Sequence, residues 1–180
     1  MTGRLIAVVG PSGVGKDSLI AGILRARPDV CLARRAITRA ASDTEPFEPV
    51  TEAEFAQRRD AGRFAVHWQA HGLSYGVPIE TLAAALAGRD VIANLSRGVL
   101  ARADEVFPAL MVLSVTAPAQ VLTERLKGRG REDLEEIARR LARPAPVLPE
   151  GARLVTIDNG GGLGAAVAAS LRALDQERAE

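Results

Sequence analysis

The sequence predicts a three-layer α/β domain built around a central parallel sheet. Apolar runs of strand length alternate with segments of helical periodicity along most of the 180 residues. A glycine-rich stretch joins the first of these runs, Leu5–Val9, to the first helical segment. Strands that are joined by helices of this length imply parallel pairing with right-handed crossovers.

Composition excludes several classes of function. The net charge of +1 and the aromatic content of 3% argue against general nucleic-acid binding. No apolar run approaches the length of a membrane span, and Leu5–Val9 is too short for a signal peptide, so we expect a cytoplasmic protein with no membrane partner. The single cysteine, Cys31, cannot form an internal disulfide and is expected to be a buried small hydrophobe. The partner is therefore expected to be a small molecule, and the oligomeric state stays open.

The stretch that follows the first strand has the pattern of a phosphate-binding loop. Its glycines allow a tight turn whose N–H groups point at phosphate oxygens, and the next helix adds its positive dipole end. Lys16 is placed to reach the β- and γ-phosphates and is predicted to be catalytic. The predicted ATP-binding residues of this loop are Gly10, Pro11, Ser12, Gly13, Val14, Gly15, Lys16, Asp17 and Ser18.

The residue after the lysine departs from the usual loop. That position ordinarily carries a serine or threonine whose hydroxyl ligates magnesium, whereas this chain has Asp17. A carboxylate is also a good hard ligand, so Asp17 is a candidate for the metal. Ser18 supplies a hydroxyl one residue later and is the alternative candidate. We expect Mg²⁺ with ATP and leave the choice between the two side chains open.

The middle of the chain departs from the strand–helix alternation. A polar segment, Ala41–Pro49, is predicted to be an exposed loop. Thr51 and Glu54 form a capping-box pattern for a short helix through about Asp60. Loose alternation over Arg63–Val77, with His71-Gly72 as the turn, predicts a small antiparallel excursion.

Regular elements are predicted around this excursion. The expected strands cover residues 30–33, 90–95, 110–115 and 154–157, and the expected helices cover 78–87, 98–107, 118–128, 132–143 and a last one from Leu163 through Leu174. The whole chain forms one domain on this interpretation.

Three arginines follow the second short strand. Arg34, Arg35 and Arg39 lie near the strand ends where α/β proteins bind ligands, and each planar guanidinium can hold two phosphate oxygens. The chain offers no histidine–aspartate pair as an acid–base couple. An acceptor that is already an ionised phosphate needs no general base, and catalysis then consists of positioning and charge neutralisation.

Several fragments, taken in order, resemble the guanylate-kinase-like group of P-loop kinases. They are the phosphate loop, Val50–Phe55, Gly62–Phe64, His71–Gly76, Arg125–Gly130 and Glu136–Leu141. The resemblance implies a core of residues 1–40 and 78–180, an acceptor-binding subdomain over about 41–77 and a helical lid over about 125–143. It further implies that Arg125 binds the nucleotide and that Arg129, Arg131 and Arg140 take part in catalysis.

Two departures from guanylate kinase bear on the acceptor. Phe47 replaces a tyrosine that holds the GMP phosphate, and Val66 replaces the acidic residue that holds guanine. A site without those partners discriminates poorly for a purine. With Lys16-Asp17-Ser18 and Ile37-Thr38-Arg39, the chain looks more similar to a branch of the group that uses ATP to convert a ribose bisphosphate into phosphoribosyl diphosphate in phosphonate breakdown.

On this resemblance the acceptor is a sugar phosphate. The implied acceptor-binding residues are Arg34, Arg35, Thr38, Arg39, Tyr75, Asn94, Ser96 and Arg97. Tyr75 is equally consistent with a place in the core, and Asn159 at a strand end is expected to border the adenine. The alternatives are a nucleoside monophosphate kinase and a non-catalytic binding module. The intact phosphate loop disfavours the module.

Overall fold

The computed structural model describes residues 2–40, 46–127, 149 and 152–178. Its strands are β1 (Leu5–Val9), β2 (Cys31–Leu32), β3 (Ala36–Ile37), β4 (Glu48–Pro49), β5 (Phe64–Ala70), β6 (Leu73–Pro78), β7 (Val91–Asn94), β8 (Leu110–Thr116) and β9 (Arg153–Asp158). Its helices are α1 (Lys16–Ala26), α2 (Glu52–Asp60), α3 (Ile79–Leu86), α4 (Leu100–Val106), α5 (Ala119–Lys127) and α6 (Leu163–Arg178), and a 3₁₀ turn at Arg97–Val99 precedes α4. The predicted α/β class is confirmed. The helix predicted over 132–143 lies outside the described residues.

The main sheet is five-stranded and parallel, with the order β2–β7–β1–β8–β9. β1 lies at its centre, and Leu5 is in register with Val91 on one side and Leu110 on the other. Odd-numbered residues of β1 join one apolar cluster with α3 and α4, and even-numbered residues join a second with α1, α5 and α6. Because both faces are covered, β1 is an uninterrupted apolar run, as is typical of parallel sheets.

A second sheet of four strands has the order β4–β3–β6–β5. β5 and β6 form the predicted antiparallel hairpin, and β3 pairs with β6 antiparallel and with β4 parallel. The hairpin turns at His71 (φ 53°) and Gly72 (φ 72°). Two consecutive positive φ values match the twist of a two-residue hairpin loop, so the predicted turn is confirmed.

The capping box at the start of α2 is also confirmed. The Thr51 hydroxyl oxygen accepts a hydrogen bond from the Glu54 backbone N–H at 3.2 Å, and the Glu54 carboxylate accepts one from the Thr51 backbone N–H at 2.8 Å. These two bonds satisfy donors that have no partner inside the helix. The helix ends at Asp60, where the sequence predicted it would.

Two expectations about burial were wrong. In the segment predicted as an exposed loop, Phe47 is only 4% exposed, and Glu48–Pro49 pairs with β3. The aromatic ring is covered because the Arg39 guanidinium lies over it, 4.5 Å from the ring centroid. Cys31 was expected to be buried, but it is only half-buried because β2 is an edge strand of the main sheet. Among the described residues, no helix combines the length and apolar character that a membrane span requires.

Candidate active site

The loop between β1 and α1 has the backbone of a phosphate-binding loop. Gly10 adopts φ 155° and Gly15 adopts φ 92°, values that residues with a Cβ atom rarely adopt. A Cβ atom at Gly10 would lie 2.5 Å from the Val115 carbonyl oxygen, and one at Gly15 would lie 2.7 Å from Asn159 Nδ2. Glycine is therefore required at both positions by conformation and by space.

The Lys16 side chain lies along this loop. Its Nζ donates hydrogen bonds to the carbonyl oxygens of Gly10 (3.0 Å) and Pro11 (3.1 Å). The ammonium is held over the loop at the N-terminus of α1, where anions are favoured by the helix dipole and by unpaired backbone N–H groups. This is the position from which a lysine can neutralise phosphate charge.

Two side chains that are distant in sequence, Arg125 and Asn159, form hydrogen bonds with the loop backbone. Asn159 Nδ2 donates to the Val14 carbonyl oxygen at 2.8 Å, and Arg125 donates to the same oxygen at 3.4 Å and to the Asn159 carbonyl oxygen at 2.9 Å. Asn159 is 3% exposed, and its Oδ1 is buried without a hydrogen-bond partner among the described residues. The nucleotide-binding role predicted for both residues stays a prediction, and the structure adds that they hold the loop in place.

A cavity of about 470 Å³ lies beside the loop. The residues that line it are Asp17, Ser18, Ile20, Ala21 and Leu24 of α1, Leu32 and Ala33 at the end of β2, Arg35, Pro46, and Asn94 at the end of β7. It opens at the carboxyl ends of the parallel strands, where α/β proteins bind their ligands. It brings two predicted acceptor residues, Arg35 and Asn94, together with the two candidate metal ligands.

Asp17 and Asn94 are in direct contact at this cavity. Asn94 Nδ2 donates a hydrogen bond of 2.9 Å to Asp17 Oδ1. The donor set suits magnesium, because one carboxylate beside a phosphate loop, with phosphate and water oxygens, is how proteins commonly hold this ion. Ser18 is exposed on the same turn of α1. Among the described residues, no group of three or more histidine, cysteine, aspartate or glutamate side chains is placed to hold a metal.

The other predicted acceptor residues do not line this cavity; they are Arg34, Thr38, Arg39, Tyr75, Ser96 and Arg97. Arg34 is exposed and donates to the Phe47 carbonyl oxygen at 3.2 Å. The Thr38 hydroxyl oxygen accepts from the Ser74 backbone N–H at 2.8 Å, which ties β3 to β6. Ser96 and Arg97 lie at the 3₁₀ turn that follows β7.

Tyr75 connects the second sheet to the cavity. Its ring stacks on Trp68 with centroids 5.2 Å apart and planes 7° apart. The guanidinium carbon of Arg35, which is 8% exposed, lies 5.8 Å from the Tyr75 ring centroid. A stacked aromatic surface of this kind restricts where a long arginine side chain can point. The predicted lid arginines, Arg129, Arg131 and Arg140, lie outside the described residues.

Sequence reasoning missed the apolar wall of the cavity. Ile20 and Leu24 are four residues apart on α1, and that spacing predicts contact with the core. They do pack in the core cluster, but they also line the cavity. Pro46 was missed because it lies in a segment that was predicted to be an exposed loop. No sequence signal separates a core side chain from one that lines a cavity.

An ion pair fastens the second sheet to α2. Arg58 donates a hydrogen bond of 2.8 Å to the Glu48 carboxylate. This hydrogen bond lowers the pKa of Glu48 below its usual value and raises the pKa of Arg58, and the positive charges of Arg58 and Arg34 add to the shift of the acid.

The fold and the loop geometry are those of a P-loop nucleotide-binding protein. No family model matches the chain. Ribose 1,5-bisphosphate phosphokinase PhnN of Ruegeria sp. (strain TM1040) is 52% identical over 98% of this chain and 94% of its own length. The Brucella melitensis biotype 2 protein of the same name is 43% identical over 97% and 93%. The chain belongs to the ribose 1,5-bisphosphate phosphokinase family.

A solved structure is similar in fold. Guanylate kinase from Anaplasma phagocytophilum matches with a TM-score of 0.65 over 99% of this chain and 88% of that one, at 17% identity. Identity this low bears on the fold alone. The protein is an enzyme with the architecture of guanylate-kinase-like P-loop kinases.

Proposed function

We propose that this enzyme transfers the γ-phosphoryl group of ATP to the 1-phosphate of ribose 1,5-bisphosphate and so makes 5-phosphoribosyl 1-diphosphate. The observation that carries the proposal is the 52% identity, over nearly the whole chain, to a protein named for this acceptor. The cavity beside the phosphate loop, with Arg35 in its wall, supports it.

The chemistry is a transfer between two phosphates. An ionised oxygen of the acceptor's 1-phosphate attacks the γ-phosphorus, the bond from that phosphorus to the bridging oxygen breaks, and ADP leaves with the electron pair. The attacking oxygen carries no proton, so the chain has no proton to remove. Its task is to bring two polyanions together and to offset their charge.

Described residues can perform that task from both sides. On the nucleotide side, Lys16 and the N-terminus of α1 face the phosphates of ATP. On the acceptor side, Arg35 has a planar guanidinium suited to phosphate oxygens. Magnesium would neutralise phosphate charge, and Asp17 is our proposed ligand for it, with Ser18 as the alternative. We further propose that Arg129, Arg131 and Arg140 bind the transferring phosphate from the lid.

The described residues do not favour GMP as the acceptor. Val66 is 2% exposed and packs in the apolar cluster of the main sheet, so it offers nothing to a guanine edge. Phe47 is buried under Arg39 and has no hydroxyl for a phosphate. Each unpaired polar group of a desolvated guanine would cost about 1–3 kcal/mol.

Direct competition between acceptors tests the proposal. Purified enzyme receives ATP, magnesium and equal concentrations of ribose 1,5-bisphosphate and GMP, and phosphorus NMR follows the two diphosphate products. We expect 5-phosphoribosyl 1-diphosphate to form at least about a hundredfold faster than GDP, the ratio set by two to three unmet hydrogen bonds. The Lys16→Ala protein, purified in parallel, measures any contaminating kinase. Faster formation of GDP would replace this proposal with guanylate kinase activity.

A further inference from the structure

The corner between α1 and β7 carries an unusual pair of side chains. In P-loop enzymes the residue after the loop lysine is ordinarily a serine or threonine, and an acidic residue on a strand completes the magnesium shell. This chain has the carboxylate, Asp17, directly after Lys16, and an uncharged amide, Asn94, at the end of the neighbouring strand. The acid is thus on the helix instead of the strand, and the uncharged side chain is on the strand instead of the helix. The pair still has one carboxylate.

The geometry ties these two residues together. Asn94 ends β7 and is in register with Val8 of β1, two residues before Gly10 of the phosphate loop. Its Nδ2 donates to Asp17 Oδ1 at 2.9 Å, across a separation of 77 residues in sequence. Asp17 Oδ2 accepts no hydrogen bond from the described residues, so one carboxylate oxygen is fixed and the other is left available.

We infer that Asn94 is a positioning residue for the metal-binding carboxylate of this site. Its amide holds Oδ1 of Asp17, which leaves Oδ2 for the divalent cation that accompanies the nucleotide. The strand end thus supplies a hydrogen-bond donor where other P-loop enzymes supply an acid, and the charge comes from the helix. The inference rests on the proposed ATP-dependent function and goes beyond it by assigning Asn94 a role toward the metal instead of the acceptor.

A purely structural hydrogen bond is the competing explanation. An aspartate in the first turn of a helix is favourable by itself, because its charge faces the positive end of the helix dipole. On that explanation, the loss of Asn94 would change stability and leave the metal requirement as it is. A measurement of the coupling between magnesium and nucleotide separates the two.

Isothermal titration calorimetry of ADP binding, with and without MgCl₂, gives this coupling directly. The ratio of the two affinities is the readout, and no acceptor or turnover is involved. In D17S we expect the magnesium enhancement to fall about tenfold, as the loss of one charged ligand predicts, while metal-free ADP binds at least as well. In N94A we expect a fall of about threefold, because the carboxylate remains but is no longer held.

The double variant D17S/N94D gives the most direct test of the inference. It restores the usual arrangement, with a hydroxyl after the lysine and an acid at the strand end, and should regain most of the enhancement that D17S loses. The matched control is D175N, which removes an aspartate charge from α6 that is bonded to Arg27, away from the site. Thermal melts of all variants confirm that each is folded before the titrations are compared.

Two results would overturn the inference. One is a magnesium enhancement in folded N94A equal to that of the parent, and the other is a double variant no better than D17S. Either result leaves the acceptor competition untouched. Conversely, an enzyme that prefers GMP would disprove the proposed acceptor and leave this magnesium coupling as measured.

Discussion

The phosphate loop and the cavity that we propose for the acceptor lie at the same edge of the main sheet, but one is formed by backbone and the other by side chains. The phosphate loop is made of backbone. Three glycines with positive φ set its path, and side chains donate hydrogen bonds to its carbonyl oxygens at Gly10, Pro11 and Val14. The wall of the proposed acceptor cavity is made of side chains from elements far apart in sequence.

This difference decides what the loop and the cavity can each tolerate. A backbone cradle offers the same N–H groups to any nucleoside triphosphate, so we expect the loop to discriminate little between nucleotides. A cavity walled by side chains changes its shape and polarity with every substitution, so selectivity between acceptors is expected there.

The largest effect is expected at Lys16, in the phosphate loop. Lys16→Ala removes the ammonium held over the loop and should lower kcat by about 10³-fold, the usual effect of losing one preorganised charge in phosphoryl transfer. Steady-state kinetics with magnesium and ATP give the value. Arg102→Ala, which removes an exposed cation paired with Glu105 on α4, is the matched control and should leave kcat within about twofold. Near-normal turnover in Lys16→Ala would refute the loop assignment.

A smaller effect, confined to one substrate, is expected at Arg35. Arg35→Ala removes a cation from the cavity wall and should raise the acceptor KM by about 10- to 100-fold, as loss of a charged hydrogen bond predicts. The KM for ATP should stay within about twofold, because we assign Arg35 to the acceptor and not to the nucleotide. Arg63→Ala, which removes an exposed cation paired with Glu80, controls for net charge. Equal changes in the KM for the acceptor and the KM for ATP would show that Arg35 does not act on the acceptor alone.

The sequence predicted the parts of the molecule that depend on local rules. The loop between Leu5–Val9 and α1, the capping box of Thr51 and Glu54, and the turn at His71-Gly72 each follow from a few neighbouring residues. All three are confirmed because backbone conformation and local hydrogen bonds determine them.

The features that escaped prediction depend on distant or very short elements. The strands β3 and β4 have two residues each, too few for any alternation to be detected, so the sequence predicts an exposed loop for Phe47 beside β4. The bond between Asn94 and Asp17 joins residues 77 positions apart, and only the packing of β7 beside β1 brings them together. The Trp68–Tyr75 stack likewise exists only once the hairpin register is known.

The smallest expected effect concerns the contact between α2 and the second sheet. Arg58 lowers the pKa of Glu48 by its hydrogen bond, so the pair stabilises the folded state above the unfolded pKa of the acid, near pH 4.5. That stabilisation is lost as the pH falls through the lower pKa of the folded state. The side chains are 37% and 42% exposed, which limits the coupling to about 0.5 kcal/mol. A double-mutant cycle with Glu48→Gln and Arg58→Gln, measured by urea unfolding at pH 7 and again below the pKa of the folded acid, isolates the pair from the neighbouring capping box. We expect the coupling at pH 7 only, and a coupling that persisted in acid would show that shape rather than charge joins α2 to the second sheet.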